Sequence, residues 1–123
     1  MNFEPVDTDE RNIESYSTTE QVIGTWTDGK PLYRKTFIST SPSASATPAD
    51  VATIESTFII HSLAGILRSS STSEVVINEW AGDANTFCRA WRYSDTSIRM
   101  NCKNANYLSK PIEITITYTK STD

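Results

Sequence analysis

The sequence predicts an all-β domain, an antiparallel β-sandwich or a jelly-roll-like barrel. Three observations carry that expectation. An Asp28-Gly29 pair separates two segments of alternating character, as in a hairpin. From residue 74 onward, short β-rich runs recur between closely spaced turn signals. Serine and threonine together make up about a quarter of the chain, and threonine suits strands while serine suits turns. At 123 residues and 13.7 kDa the chain has the size of one domain with one core.

Residues 1–19 are acidic and nearly free of apolar periodicity, and read as a flexible N-terminal tail or linker ahead of a single β domain over 20–123. The segment 20–37, EQVIGTWTDGKPLYRKTF, reads as a strand ending in Trp26, a tight Asp28-Gly29 turn, and a second strand opening with Leu32 and Tyr33. Asp and Gly best tolerate the positive φ that hairpin turns need. Val22, Gly24 and Trp26 alternate with Ile23 and Thr25 across the two faces of the first strand. Pro31 cannot donate a ladder hydrogen bond, so the second strand begins there or runs along an edge. It continues over 32–40, and SPSASAT at 41–47 is a loop by composition.

Thr47-Pro48-Ala49-Asp50 has the composition of a helix start, whereas Thr53, Ile54, Thr57, Phe58, Ile59 and Ile60 favour a strand. One short helical turn near 48–54, followed by a strand through about His61, satisfies both signals. Residues 64–69 form a candidate further strand, and 70–73 a polar loop. The pattern then sharpens into a meander, with a strand at 74–80 (EVVINEW) and a turn at 81–85 (AGDAN). Strands at 86–93 and 96–102 flank Ser94-Asp95, and 103–110 is a loop. The last strand, 112–119, places Ile112, Ile114, Ile116 and Tyr118 on one face.

The two cysteines, Cys88 and Cys102, are too few for a disulfide framework or a zinc site and read as buried free thiols. Their relation depends on the 86–102 hairpin. A two-residue loop at Ser94-Asp95 sets Trp91 opposite Ile98 and Arg89 opposite Met100. Phe87, Trp91, Tyr93, Ile98 and Met100 then share one face, and the cysteines point apart. A loop one residue longer sets Cys88 opposite Cys102, close enough to bridge, and turns Trp91 outward against Arg99. The first register is favoured because it gathers more apolar side chains.

The 20–37 segment resembles the opening motif of a small module in structural proteins of tailed phages and prophages. Such modules close on a strand similar to 112–123, IEITITYTKSTD. The resemblance covers about 30 of the 123 residues in two separated motifs, and the middle of the chain departs from it. It implies a β-domain in a phage appendage, such as the tip of a tail or head fibre, located in the virion and commonly homotrimeric among other virion proteins. It transfers no catalytic or receptor-binding residue, because the matching positions, Trp26, Tyr33 and Tyr118 among them, look like scaffold.

Net charge is −4 and the pI about 4.9, the wrong sign for nucleic acid, which needs a positive footprint. No apolar run is long enough to span a bilayer, so no membrane insertion is expected, and the N-terminus carries no secretory signal pattern. No cofactor is indicated. His61 is the sole histidine and lies in an apolar strand, FIIHS, which favours a structural role. Among Glu55, Glu74, Glu79 and Asp83, no spacing singles out an acid and base pair, and Gly24 and Gly29 belong to a hairpin rather than a phosphate cradle. The expectation is therefore a non-enzymatic binding module.

The region from 79 to 99 is richest in the parts a sugar site uses, aromatic faces beside Arg, Asn and Asp. Trp80, Asp83, Asn85, Arg92 and Tyr93 are the candidate ligand contacts, for a host surface glycan or protein. Two alternatives stand beside this reading. One is a capsid-decorating or appendage protein without receptor contact; the other is a cellular carbohydrate-binding module.

Overall fold

The computed structural model of the chain describes residues 16–78 and 87–123. Within them eight strands form two antiparallel sheets: β1 (Gln21–Thr25), β2 (Pro31–Thr40), β3 (Ala49–Thr53), β4 (Phe58–Ser70), β5 (Ser73–Val76), β6 (Cys88–Arg92), β7 (Ser97–Cys102) and β8 (Pro111–Lys120). The larger sheet has the order β1-β2-β8-β4-β5 and the smaller β3-β7-β6. A single 3-10 turn, Ala105–Tyr107, lies between β7 and β8. The all-β class expected from composition and turn spacing is the class observed.

The core is the seam between the sheets. From β8 come Ile112, Ile114, Ile116 and Tyr118, at 1% exposure or less, on the one face that their period-2 spacing dictates. From the smaller sheet come Ala52, Cys88, Ala90, Ile98, Met100 and Cys102, and the loop and strand ends add Ile54, Phe58, Leu67 and Ile77. Burying one such aliphatic side chain is worth about 1.5–3 kcal/mol, so this seam outweighs any exposed polar contact. Packing at Gly65 is tight: a Cβ there would lie 2.9 Å from Ile77 Cδ1 and 3.1 Å from the Glu113 carbonyl.

The β1–β2 hairpin forms where the sequence places it, with a longer loop than a bare Asp-Gly turn. Trp26 N–H donates to Lys30 O (2.9 Å), and Gly29 N–H donates to Trp26 O (2.9 Å). Only Gly29 of the loop has positive φ (90°), and Asp28 Oδ1 accepts from Lys30 N–H (3.0 Å). These contacts make a three-residue loop with glycine in the left-handed position. β2 begins at Pro31.

Four expectations are corrected. Instead of a helical turn near 48–54, the chain is extended as β3, paired with β7 through Ala49–Met100 and Ala52–Ile98. The tertiary ladder and the burial of Ala52 override the local capping signal. Instead of two strands ending near His61 and starting at 64, one thirteen-residue strand runs through, kinked by a bulge between Ile60 and Ser62 that accommodates the extra residue His61. The strand expected at 74–80 is observed as β5 only to Val76, with Ile77 and Asn78 in a turn; residues 79 and 80 and the 81–85 turn lie outside the described residues.

A fourth correction concerns the β6–β7 register. Tyr93 N–H donates to Ser97 O (3.0 Å), leaving three residues in the loop. Cys88 therefore pairs with Cys102, Ala90 with Met100, Trp91 with Arg99 and Arg92 with Ile98. One added loop residue exchanges the faces. Small Cys88 and Ala90 turn inward, where the facing isoleucines already fill the space, and Trp91 and Tyr93 turn away from the core. Of the 1–19 tail, only 16–19 fall within the described residues; there Ser17 O accepts from Thr36 N–H (2.9 Å).

Candidate functional site

Alternation along β6 and β7 sets Phe87, Arg89, Trp91 and Tyr93 beside Arg99 and Asn101 on the outer face of the smaller sheet. Asp50, opposite Arg99 on β3, completes the row. The contacts run in sequence across three strands. The Arg99 guanidinium lies 3.6 Å from the Tyr93 ring centroid, and its Nε–H donates to Asp50 Oδ1 at 3.0 Å. Arg89 covers Phe87 at 4.2 Å. Trp91, half-buried, sits opposite Arg99, and Asn101 Oδ1 is buried with no hydrogen-bond partner among the described residues.

This arrangement places planar apolar faces, guanidinium N–H donors and a carboxylate acceptor on one solvent-facing surface. Those are the groups that stack on a sugar ring and bind its hydroxyls. Tyr93 remains 55% exposed although Arg99 covers one side of its ring, so its other face is open to a ligand.

Of the five residues singled out from sequence, Tyr93 belongs to this face and Arg92 does not. Arg92 alternates to the inner side, where its guanidinium lies 5.7 Å from the Phe58 ring and its Nη2 donates to Asp95 Oδ1 (3.3 Å). Trp80, Asp83 and Asn85 lie outside the described residues. Arg99, Asp50 and Asn101 were not singled out. Their signal was the longer-loop register, in which Trp91 faces Arg99.

A second concave region opens at one end of the seam, about 370 Å³ in volume, lined by Glu20, Lys35, Glu55, Tyr118 and Lys120 among others. Glu20 accepts from the Tyr118 hydroxyl and from Lys120 Nζ (2.7 Å). Burial opposes the charge on Glu20, but the Lys120 and Tyr118 hydrogen bonds and the nearby Lys120 and Lys35 charges outweigh it and hold the carboxyl below its ordinary value. Burial first, then the Glu20 hydrogen bond, pushes the Tyr118 hydroxyl up. A carboxylate so fully engaged serves as an anchor rather than a general acid or base.

Of the other carboxylates considered for acid–base work, only Glu55 and Glu74 fall within the described residues. Glu74 meets Arg68, which also reaches both oxygens of Glu113 at 3.1 Å; Glu79 and Asp83 lie outside the described residues. Among the described residues no group of three or more His, Cys, Asp or Glu could hold a metal ion, and no helix is long and apolar enough to cross a membrane. Comparison with protein-family models, with curated proteins and with solved structures gives no match in any of the three.

Proposed function

We propose that the chain is a non-enzymatic structural module of a phage virion, at the tip of a fibre or similar appendage, that attaches to a host surface component. The observation that carries the attachment role is the Tyr93–Arg99–Asp50 row beside Trp91 on the outer face of the smaller sheet. The phage assignment rests on the resemblance of the 20–37 and 112–123 motifs. A homotrimer fits the edge strand β1, whose Val22 and Ile23 are 66% and 40% exposed and invite coverage by another chain. Three weak sites on one trimer give firm attachment through avidity.

The direct test is binding of labelled protein to host cells and to a glycan array, with Trp91→Ala, Tyr93→Ala and Arg99→Ala beside the wild type. Lost binding with an unchanged melting temperature supports the attachment role. Undiminished binding in all three removes it from this face, and a wild type that binds nothing leaves a decorating or purely structural role. Light scattering separates the remaining alternative: a strict monomer that binds soluble glycan is a carbohydrate-binding module.

A further inference from the structure

We infer that Cys88 and Cys102 are a built-in cross-linking site, closing to a disulfide when the folded protein meets a disulfide oxidant such as oxidised glutathione. The two residues are direct partners across β6 and β7, and their Sγ atoms lie 3.5 Å apart. Antiparallel partners hold their Cα atoms about 4.5–5.5 Å apart, inside the roughly 4.4–6.8 Å span that a disulfide bridges. Forming the bond requires the sulfurs to approach by roughly 1.5 Å, a movement of side chains with the ladder kept in register. Both thiols are buried in the seam, at 3% and 0% exposure, and neither belongs to a metal-binding cluster among the described residues.

The chemistry balances with the oxidant named. One cysteine thiolate attacks a sulfur of glutathione disulfide, forming a mixed disulfide and expelling one glutathione thiolate. The other thiolate attacks the protein-side sulfur of that mixed disulfide, forming the Cys88–Cys102 bond and expelling the second glutathione. The protein loses two electrons, and the two thiol protons end on the released glutathiones. The hydrogen bond between the sulfurs favours a thiolate on one of the two and holds back ionisation of the other. The pair thus offers one thiolate at a time, as the stepwise exchange needs.

Access runs through β6, the edge strand of the smaller sheet among the described residues. Its free edge is held by Asn78, whose N–H donates to Cys88 O (2.8 Å) and whose amide bonds both polar groups of the Ala90 backbone. Local opening of this edge exposes Cys88 without dismantling the larger sheet. The inference is independent of the proposed function.

The test is incubation of the reduced wild-type protein with oxidised glutathione under native conditions, followed by thiol counting, intact mass and thermal melting. The expected product has no titratable thiol, has lost the mass of both thiol hydrogens, and carries no glutathione. Its melting temperature rises by on the order of 10 °C and returns on reduction. Cys102→Ser is expected to stop at a glutathione adduct or stay unmodified, with no such rise, and Asn78→Ala to react faster. Persistence of both thiols, a stable glutathione adduct on the wild type, or a cross-linked form that melts lower would each overturn the inference. The wild-type measurements decide the matter even if the serine variant does not fold.

Discussion

The indole of Trp26 lies on the imidazole of His61, ring centroids 3.8 Å apart and planes 23° from parallel. The loop end of the first hairpin is thereby folded across to β4. His61 Nε2 also meets Thr119 Oγ1 at 3.0 Å, and Thr119 is left only 2% exposed although it faces away from the core. The bulge at His61 aims that ring, so a local irregularity in β4 serves to fasten the end of β1, three places away in the sheet.

The stack yields the first prediction. Trp26→Ala and His61→Ala each destabilise the fold, and the double variant loses less than the two losses added. A coupling of about 0.5–1.5 kcal/mol is expected, the range for stacked aromatic pairs. Urea denaturation of the four proteins measures it; strict additivity would mean that the rings touch without energetic consequence.

Gly65 leaves no room for a side chain. An added methyl meets Ile77 Cδ1 at 2.9 Å, the Glu113 carbonyl at 3.1 Å and Ile114 Cγ1 at 3.2 Å. The carbonyl cannot yield as a side-chain end can. Gly65→Ala is expected to cost about 1–3 kcal/mol by overpacking, although alanine otherwise suits a strand better than glycine. Thermal melting checks the direction: a rise in melting temperature would show that Ile77 has room to move.

Acid lability follows from Glu20. Its folded value lies below the ordinary 4.5, so its contribution is fully present above that value and is lost as pH falls through the folded one. Stability measured from pH 6 downward, a range chosen around the roughly 4.3 of a free glutamate, is expected to fall more steeply in the wild type than in Glu20→Gln. Parallel curves would remove Glu20 from the acid transition.

Asn78 adopts φ 72°, a conformation asparagine tolerates better than most residues. From there its amide donates to Ala90 O (3.0 Å) and accepts from Ala90 N–H (2.8 Å). It substitutes for a neighbouring strand along the open edge of β6. Asn78→Ala removes both bonds and is expected to cost about 1–3 kcal/mol. Hydrogen exchange at the Ala90 amide should accelerate well beyond that at Ile114, which lies in the interior of the larger sheet.

The first hairpin and the last strand of the larger sheet were legible because their signals are local and redundant. The Asp28-Gly29 loop, Pro31 at a strand start and the Ile112–Tyr118 alternation each depend on a few adjacent residues. What escaped depends on distant partners. Residues 49–53 look helical until paired with β7, and the bulge at His61 has no signature in FIIHS. The faces of β6 turned on one loop residue: Ser94-Asp95 and Ser94-Asp95-Thr96 are equally plausible turns, yet they send Trp91 to opposite sides. The candidate site inherited that ambiguity, which is why Tyr93 joins the outer row and its neighbour Arg92 packs over Phe58.

The place of β8 carries a consequence for how the chain is made. It is the last of the described strands in sequence, yet it lies between β2 and β4 in the larger sheet. A ribosome completes the other seven described strands before the one that joins β2 to β4 emerges. Until then β2 and β4 have no common neighbour, and the inner face that Ile112, Ile114, Ile116 and Tyr118 will fill stands open to water. Folding of the larger sheet is therefore expected to wait until β8 has been made and then to proceed at the slow pace of pairings distant along the chain. In the interval the nascent chain depends on chaperones, or on its own polar serine- and threonine-rich segments, to stay soluble.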